Sequence, residues 1–322
     1  MKSPIFLFSL PRSGSTLLQR VLMGHKDIVS VAEPWLMLPF SYAYKKEGVL
    51  AEYAHNLSFS AFEDFINNLP GKEKDYFEAL GSFANTLYEK QCSNEEKYFL
   101  DKTPRYYNII PEIAKAFPDA KFIFLFRNPV HVMSSMIQTW GNGSLRSLYT
   151  HERDLNYGPI ALSKGYELLK DKSYAIQYEE YVSNPNKHTK EICEYLEIDF
   201  DENTLSGFSN QNIKGRMGDP TGINEYKTIS ANSLSKWKNT FDTAFRKNII
   251  YKYISNIEEK IFDIQGYKKI DILNEIKSLK VTNKGFLIDR IDFTYSVLVR
   301  YVKANIYFGK GAKKWAINKY LS

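Results

Sequence analysis

The stretch Pro4-Ile5-Phe6-Leu7-Phe8-Ser9-Leu10-Pro11-Arg12-Ser13-Gly14-Ser15-Thr16-Leu17-Leu18 decides the fold. Its first half is apolar and aromatic, as expected of a strand buried on both faces. Pro11 to Thr16 break the run, and Leu17, Leu18, Val21 and Leu22 then recur at helical spacing. A strand–turn–helix of this kind leaves backbone N–H groups and the positive end of a helix dipole at the turn, which together form an anion site. Gly14 allows close backbone approach, Ser15 and Thr16 add hydroxyl donors, and Arg12 adds a planar cationic fork. In an ordinary turn the same hydroxyls would only cap the helix.

Outward from this turn, strand and helix patterns alternate. Ile28–Val31 reads as a second buried strand, Ser60 to Gln91 as helical, and Lys97–Leu100 and Lys121–Phe126 as strands flanking a helix over Ile109–Phe117. Pro129–Thr139 reads as a helix with proline in its first turn, and Ser173–Tyr178 as a later strand followed by an amphipathic helix through Leu196. The alternation predicts an α/β fold: three layers, a mostly parallel central sheet, helices on both faces. After Phe200 the strand patterns stop, a polar Gly/Asn-rich stretch runs to Asn232, and helical patterns fill the rest. The expected division is a domain over residues 1–265 and a basic helical C-terminal extension over 266–322.

The turn departs from a Walker A loop, because Ser9 stands where the first glycine would be and Ser15 where the lysine would be. Phe6 to Leu18 resembles instead the 5′-phosphosulfate loop of sulfotransferases, which use 3′-phosphoadenosine 5′-phosphosulfate (PAPS) as donor. The resemblance implies a P-loop-like fold and assigns Arg12, Ser13, Gly14, Ser15 and Thr16 to the phosphosulfate. It also covers Phe122 to Pro129 with Ser135, a strand ending in Arg127, Asn128-Pro129, and a serine eight residues after the arginine. That block implies that Arg127 and Ser135 bind the 3′-phosphate of the donor. An NTPase more often carries an aspartate after such a strand to help hold magnesium, and arginine suits an anion.

Sulfuryl transfer needs a base for the attacking hydroxyl and a cation for the charge that develops on the leaving side. Glu33 follows the second strand, at the carboxyl end where ligands bind in open α/β sheets. In the carbohydrate and tyrosylprotein branches of the family a glutamate at this distance is the base, and Glu33 is assigned that role. His25 lies before the strand and reads as structural. Lys102, in Leu100-Asp101-Lys102-Thr103-Pro104, resembles the lysine those branches place near the transferring group. It is expected to stabilise the developing charge together with Arg12. Tyr178, in Tyr178-Glu179-Glu180, resembles a tyrosine that can sit by the adenine. Lys214-Gly215-Arg216 with Ser233 to Trp237 resembles the late loop over the nucleotide, which adds Lys214 and Arg216 to the cofactor-binding set. Met217 appears where the tyrosylprotein branch carries a serine.

The chain has 322 residues, 43% of them apolar, and 48 aromatics fall among mixed charges if 4 Trp, 23 Tyr and 21 Phe are added. Such a composition excludes disorder, collagen and coiled coil. No apolar run approaches a bilayer span, the N-terminus lacks a secretory pattern, and Cys92 and Cys193 have no metal-type spacing, so a reduced cytoplasmic setting is expected. The net charge of +6 is uneven: from Lys268 onward twelve Lys/Arg stand against four Asp/Glu, or +8, which leaves −2 for the remainder. Phe286 to Phe308 reads as a helix with one apolar side, suited to packing on the protein, self-association, an anionic membrane surface or an acidic glycan.

These readings lead to a sulfotransferase acting by in-line transfer from PAPS, with adenosine 3′,5′-bisphosphate (PAP) as product. The expected acceptor is a hydroxyl of a carbohydrate or glycoconjugate; no metal and no nucleic-acid partner are expected. Two alternatives stay open at this point. One is a P-loop kinase using Asp101 as a metal ligand, and the other a non-catalytic protein that binds nucleotide or anionic glycan.

Overall fold

The computed structural model describes residues 3–51, 53–93, 96–211, 213–215, 217, 229–230, 234–282 and 285–301. The chain packs as two compact units, Met1–Arg127 with Gly158–Ala231, and Asn128–Tyr157 with Asn232–Ser322.

The first unit is built on five strands: β1 (Ile5–Ser9), β2 (Ile28–Ser30), β3 (Tyr98–Asp101), β4 (Lys121–Phe126) and β5 (Ser173–Gln177). They lie in the order β2-β3-β1-β4-β5 and every pairing is parallel. Each strand begins and ends within a residue or two of its expected bounds. Every residue of β1 is buried, which is why that stretch alternates so little. Phe6 pairs with Phe122 and Phe8 with Phe124, so the period of two gathers four phenylalanine rings on one face. Phe6–Phe122 and Phe8–Phe124 centroids are 6.3 and 5.1 Å apart.

From β1 the chain passes through α1 (Ser15–Met23) toward β2, while from β3 onward it crosses in the opposite direction to β4 and then β5. Right-handed crossovers in opposite directions put their helices on opposite faces. Accordingly α5 (Ile110–Ala116) packs on α4 (Glu73–Glu89) and α7 (Gly158–Leu169), whereas α1 packs on the short helix α10 (Asn203–Ser206). The connections leave β1 and β4 in opposite senses, and the crevice at their carboxyl ends is where such sheets bind ligands.

The helical reading of 60–91 resolves into two helices, α3 (His55–Asn67) and α4. Pro70-Gly71 separates them: proline offers no N–H, and the Gly71 N–H bonds Asp75 Oδ2 at 2.7 Å instead of continuing a ladder.

The second unit holds α6 (Pro129–Gly141), which Asn128 caps by accepting from the Val130 N–H at 3.0 Å. Its core gathers Met133, Met136 and Ile137 with Trp237, Phe241, Ile250, Ile254 and Phe262. The last described helix, Phe286–Tyr301, belongs to this unit.

Candidate active site

The turn after β1 holds two left-handed residues, Arg12 (φ 67°) and Gly14 (φ 86°). Left-handed backbone at an arginine costs free energy and is kept where the surroundings impose it. Gly14 caps α1, and the first N–H accepted within that helix is that of Leu17, by the Gly14 carbonyl at 3.0 Å. Ser15 and Thr16 therefore open the helix with N–H groups that have no acceptor inside it.

Two side chains from other strand ends hold this turn. Arg127, the first residue beyond β4, donates from Nη1 to the Arg12 carbonyl at 2.8 Å, and its guanidinium lies 4.3 Å from the centre of the Tyr178 ring. Tyr178, the first residue beyond β5, presses that ring against Gly14, where any Cβ would overlap it. Glycine is thus required twice over at position 14, by its φ and by the ring behind it. Tyr178 is 2% exposed, so the structure brings it under the turn and against Arg127. The Arg127 Nε–H is buried and has no hydrogen-bond partner among the described residues. A buried donor of this kind calls for an acceptor, and with the opening amides of α1 it fits an anionic group.

The acid–base residues converge from three neighbouring strand ends. Glu33 follows β2, Lys102 follows β3, and Thr16 follows β1. Lys102 Nζ donates to Glu33 Oε1 at 2.9 Å and to Thr16 Oγ1 at 3.4 Å. Lys102 is 1% exposed, so its buried charge is held by this carboxylate, with the Asp101 carboxyl close enough to feel it as well. The second Glu33 oxygen, Oε2, accepts from Trp35 Nε1–H at 3.2 Å. Trp35 is itself left-handed (φ 54°), its backbone N–H donates to Thr103 Oγ1 at 3.3 Å, and the Arg105 guanidinium lies 5.8 Å from its ring. Both carboxylate oxygens of Glu33 are therefore held.

Trp35 is a side chain of this site to which the sequence reading gave no role. The signal was the dipeptide after Glu33, since Pro34 stiffens the chain and an indole two residues on can reach back to the carboxylate.

Asp101, the candidate metal ligand of a kinase, is fully buried with its oxygens occupied. Oδ2 accepts from Tyr88 Oη at 2.6 Å and Tyr106 Oη at 3.0 Å, and Oδ1 from Thr103 Oγ1 at 3.1 Å. Burial pushes its carboxyl up to about 6, against those three hydrogen bonds and the Lys102 charge, which pull it down. Such a carboxylate braces the strand end; it is not presented to a ligand. His25 is structural as expected: its Nδ1 accepts from the Asp27 N–H at 3.1 Å, so Nε2–H donates to the Asp199 carbonyl at 2.7 Å.

The late loop approaches the same place through its backbone. The Lys214 carbonyl accepts from the Ala32 N–H at 2.9 Å, one residue before Glu33, and Gly215 (φ 131°) leaves no room for a side chain against Ala32. The Lys214 side chain is exposed. Arg216 and Ser233 lie outside the described residues. Ser135 is on α6 in the second unit, partly buried, while the neighbouring Ser134 hydroxyl pairs with Thr240 Oγ1 at 2.7 Å. The structure thus brings Arg12, Ser13, Gly14, Ser15, Thr16, Glu33, Lys102, Arg127 and Tyr178 into one unit.

Comparison with known proteins identifies the family. The family model described as Sulfotransferase family matches residues 4–202, from the start of β1 to beyond β5. Nodulation protein NoeE of Sinorhizobium fredii (strain NBRC 101917 / NGR234) is 34% identical over 137 residues, 42% of this chain and 31% of that protein. The chain therefore spans about a third of that relative's length. Two Danio rerio proteins match over more of this chain. Carbohydrate sulfotransferase 1 is 22% identical over 355 residues (87% of this chain, 81% of that protein), and protein-tyrosine sulfotransferase 1 is 25% identical over 244 residues (72% and 65%). Among solved structures, the sulfotransferase domain from the curacin biosynthetic pathway shares the fold, with a TM-score of 0.50, 22% identity, and coverage of 74% of this chain and 92% of that one. With more than half of its length matched by the family model, this chain belongs to the sulfotransferase family.

Proposed function

We propose that this sulfotransferase moves a sulfuryl group from PAPS to a hydroxyl of a carbohydrate or glycoconjugate, with Glu33 as general base. The observation that carries the reading is the convergence of Thr16, Lys102 and Glu33 from the carboxyl ends of three adjacent parallel strands, beside amides that have no acceptor within their helix. That donor set suits the sulfuryl end of an anionic donor.

When bound, PAPS would supply the sulfuryl group and a bisphosphate nucleotide that departs as PAP. Arg12, Ser13, Gly14, Ser15 and Thr16 would hold the phosphosulfate, Arg127 with its unpartnered Nε–H and Ser135 the 3′-phosphate, and Lys214 and Arg216 the nucleotide. Tyr178 backs the turn and fixes the Arg127 plane. Glu33 takes the proton of the acceptor hydroxyl at a carboxylate oxygen. Trp35 and Lys102 keep that carboxylate in one orientation, which removes the cost of reorganising it during transfer. Lys102 and Arg12 would supply positive charge for the negative charge that develops on the leaving side.

The acceptor class draws support from the likeness to a carbohydrate sulfotransferase. A tyrosyl acceptor is the comparison to run beside it. With PAPS and a panel of glycan and tyrosyl-peptide acceptors, Glu33→Gln is expected to lower kcat by about 10²–10⁴-fold while leaving PAP affinity within about twofold. Full activity in Glu33→Gln would remove Glu33 as the base, and sulfation of the tyrosyl peptides alone would overturn the glycan assignment.

A further inference from the structure

The helix Phe286–Tyr301 turns several polar side chains inward and most of its large apolar ones outward. Asp289, Asp292 and Ser296 face the protein beside Phe293, whose ring centroid lies 5.8 Å from that of Phe245. Asp289 is 4% exposed and takes a bidentate pair from Arg246, whose Nη2 and Nε lie 2.7 and 2.9 Å from its Oδ1. Thr243 Oγ1 donates to the same carboxylate at 3.2 Å, Asp292 accepts from Ser144 Oγ at 2.6 Å, and Ser296 is buried.

The apolar side faces out. Leu287, Ile291 and Leu298 fall on one stripe at i, i+4 and i+11, and they are 72%, 68% and 58% exposed. Ile288 and Tyr301 widen it at 66% and 86%. A chain that invests a buried bidentate ion pair in directing aspartates inward and branched apolar side chains outward has an apolar partner for that face.

The charge around the stripe selects the partner. Arg290 is exposed beside it, and Arg300, paired with Glu152 at 3.2 Å, is still 53% exposed. From Phe293 to Ser322 the sequence holds six basic residues (Arg300, Lys303, Lys310, Lys313, Lys314, Lys319) and no acidic one, interleaved with Tyr295, Tyr301, Tyr307, Phe308, Trp315 and Tyr320. A neutral apolar partner would leave that charge unanswered. We infer that the outward face of Phe286–Tyr301, with the basic sequence that follows it, docks this protein on an anionic lipid bilayer. The apolar stripe would enter the interface and the lysines and arginines would lie among the headgroups.

The test is vesicle flotation of the full chain, with phosphatidylcholine vesicles and with vesicles containing about 30 mol % phosphatidylglycerol. The wild type is expected to float with the anionic vesicles, to float at least about tenfold less with the neutral ones, and to detach at about 0.5 M salt. Ile291→Glu/Leu298→Glu, both at exposed positions, is expected to lose at least about tenfold in partitioning. It should keep the wild-type melting temperature and PAP affinity, which shows that the fold survives. Lys310→Glu/Lys313→Glu/Lys314→Glu is expected to abolish the preference for anionic vesicles. Equal flotation of the Glu pair and the wild type would overturn the proposal. So would absence of flotation together with a sedimentation-measured dimer that the Glu pair breaks, an outcome that makes a second copy the partner.

Discussion

Asp101 ends β3 with its carboxylate enclosed by Tyr88, Tyr106 and Thr103, one residue before Lys102. Its carboxyl is raised by burial from 3.8 to about 6, so the folded protein holds this proton more tightly than the unfolded chain does. Its contribution to stability is then largest below about pH 4 and falls as pH rises through about 6, by up to about 3 kcal/mol. Asp101→Asn cannot titrate there. Urea unfolding at about pH 4 and about pH 7 should show the variant's loss of stability relative to wild type shrinking by about 2–3 kcal/mol at the higher pH. An equal loss at both would contradict the assignment. At this scale the sequence was legible wherever a residue type has few uses just past a buried strand, as with Glu33, Lys102 and Arg127. Tyr178 and Trp35 were less so. Their roles arise from what their rings touch, Gly14 and Arg127 for one and the Glu33 carboxylate for the other, and those contacts join residues far apart in sequence or reverse the chain direction.

The element boundaries of the sheet could be read to within a residue or two, because β1, β3 and β4 are short, almost wholly buried runs closed by turn-forming or charged residues. At the sheet edge β5, with only Ile176 buried, follows the β-branched and aromatic pattern of Ser173–Tyr178. The break between His55–Asn67 and Glu73–Glu89 was signalled by Pro70-Gly71, and the apolar periodicity on either side obscured it. The last helix posed the opposite difficulty. Its apolar side was legible, but its orientation was not, because that depends on Arg246, 43 residues before Asp289. Removing one partner of a buried ion pair leaves the other charge uncompensated, at a cost of about 3–5 kcal/mol. Arg246→Ala is therefore expected to destabilise the second unit by about that amount and to open trypsin sites at Arg290 and Arg300 under native conditions. Retained protection of those bonds, by mass mapping of the digest, would show that the apolar contacts of the helix and not the ion pair seat it.

For the whole molecule, charge and fold divide the work. Outside the basic C-terminal segment the chain carries a net −2, so its anion site is made by placement of a few groups and not by a general field. Crossovers that leave β1 and β4 in opposite senses put the carboxyl ends of these two strands at one crevice, and Arg127 spans it to the Arg12 carbonyl. On the proposed function this crevice takes a nucleotide carrying phosphate at both 5′ and 3′ positions. Calorimetric titration of adenosine 3′,5′-bisphosphate against AMP checks that preference. The bisphosphate should bind at least about tenfold more tightly, a difference of about 1.4 kcal/mol or more. Because Arg127 also braces the turn, Arg127→Ala will weaken both ligands, and the ratio between them is the quantity to follow: it should fall toward one. Equal affinities in the wild type, or a preference that survives Arg127→Ala, would contradict it.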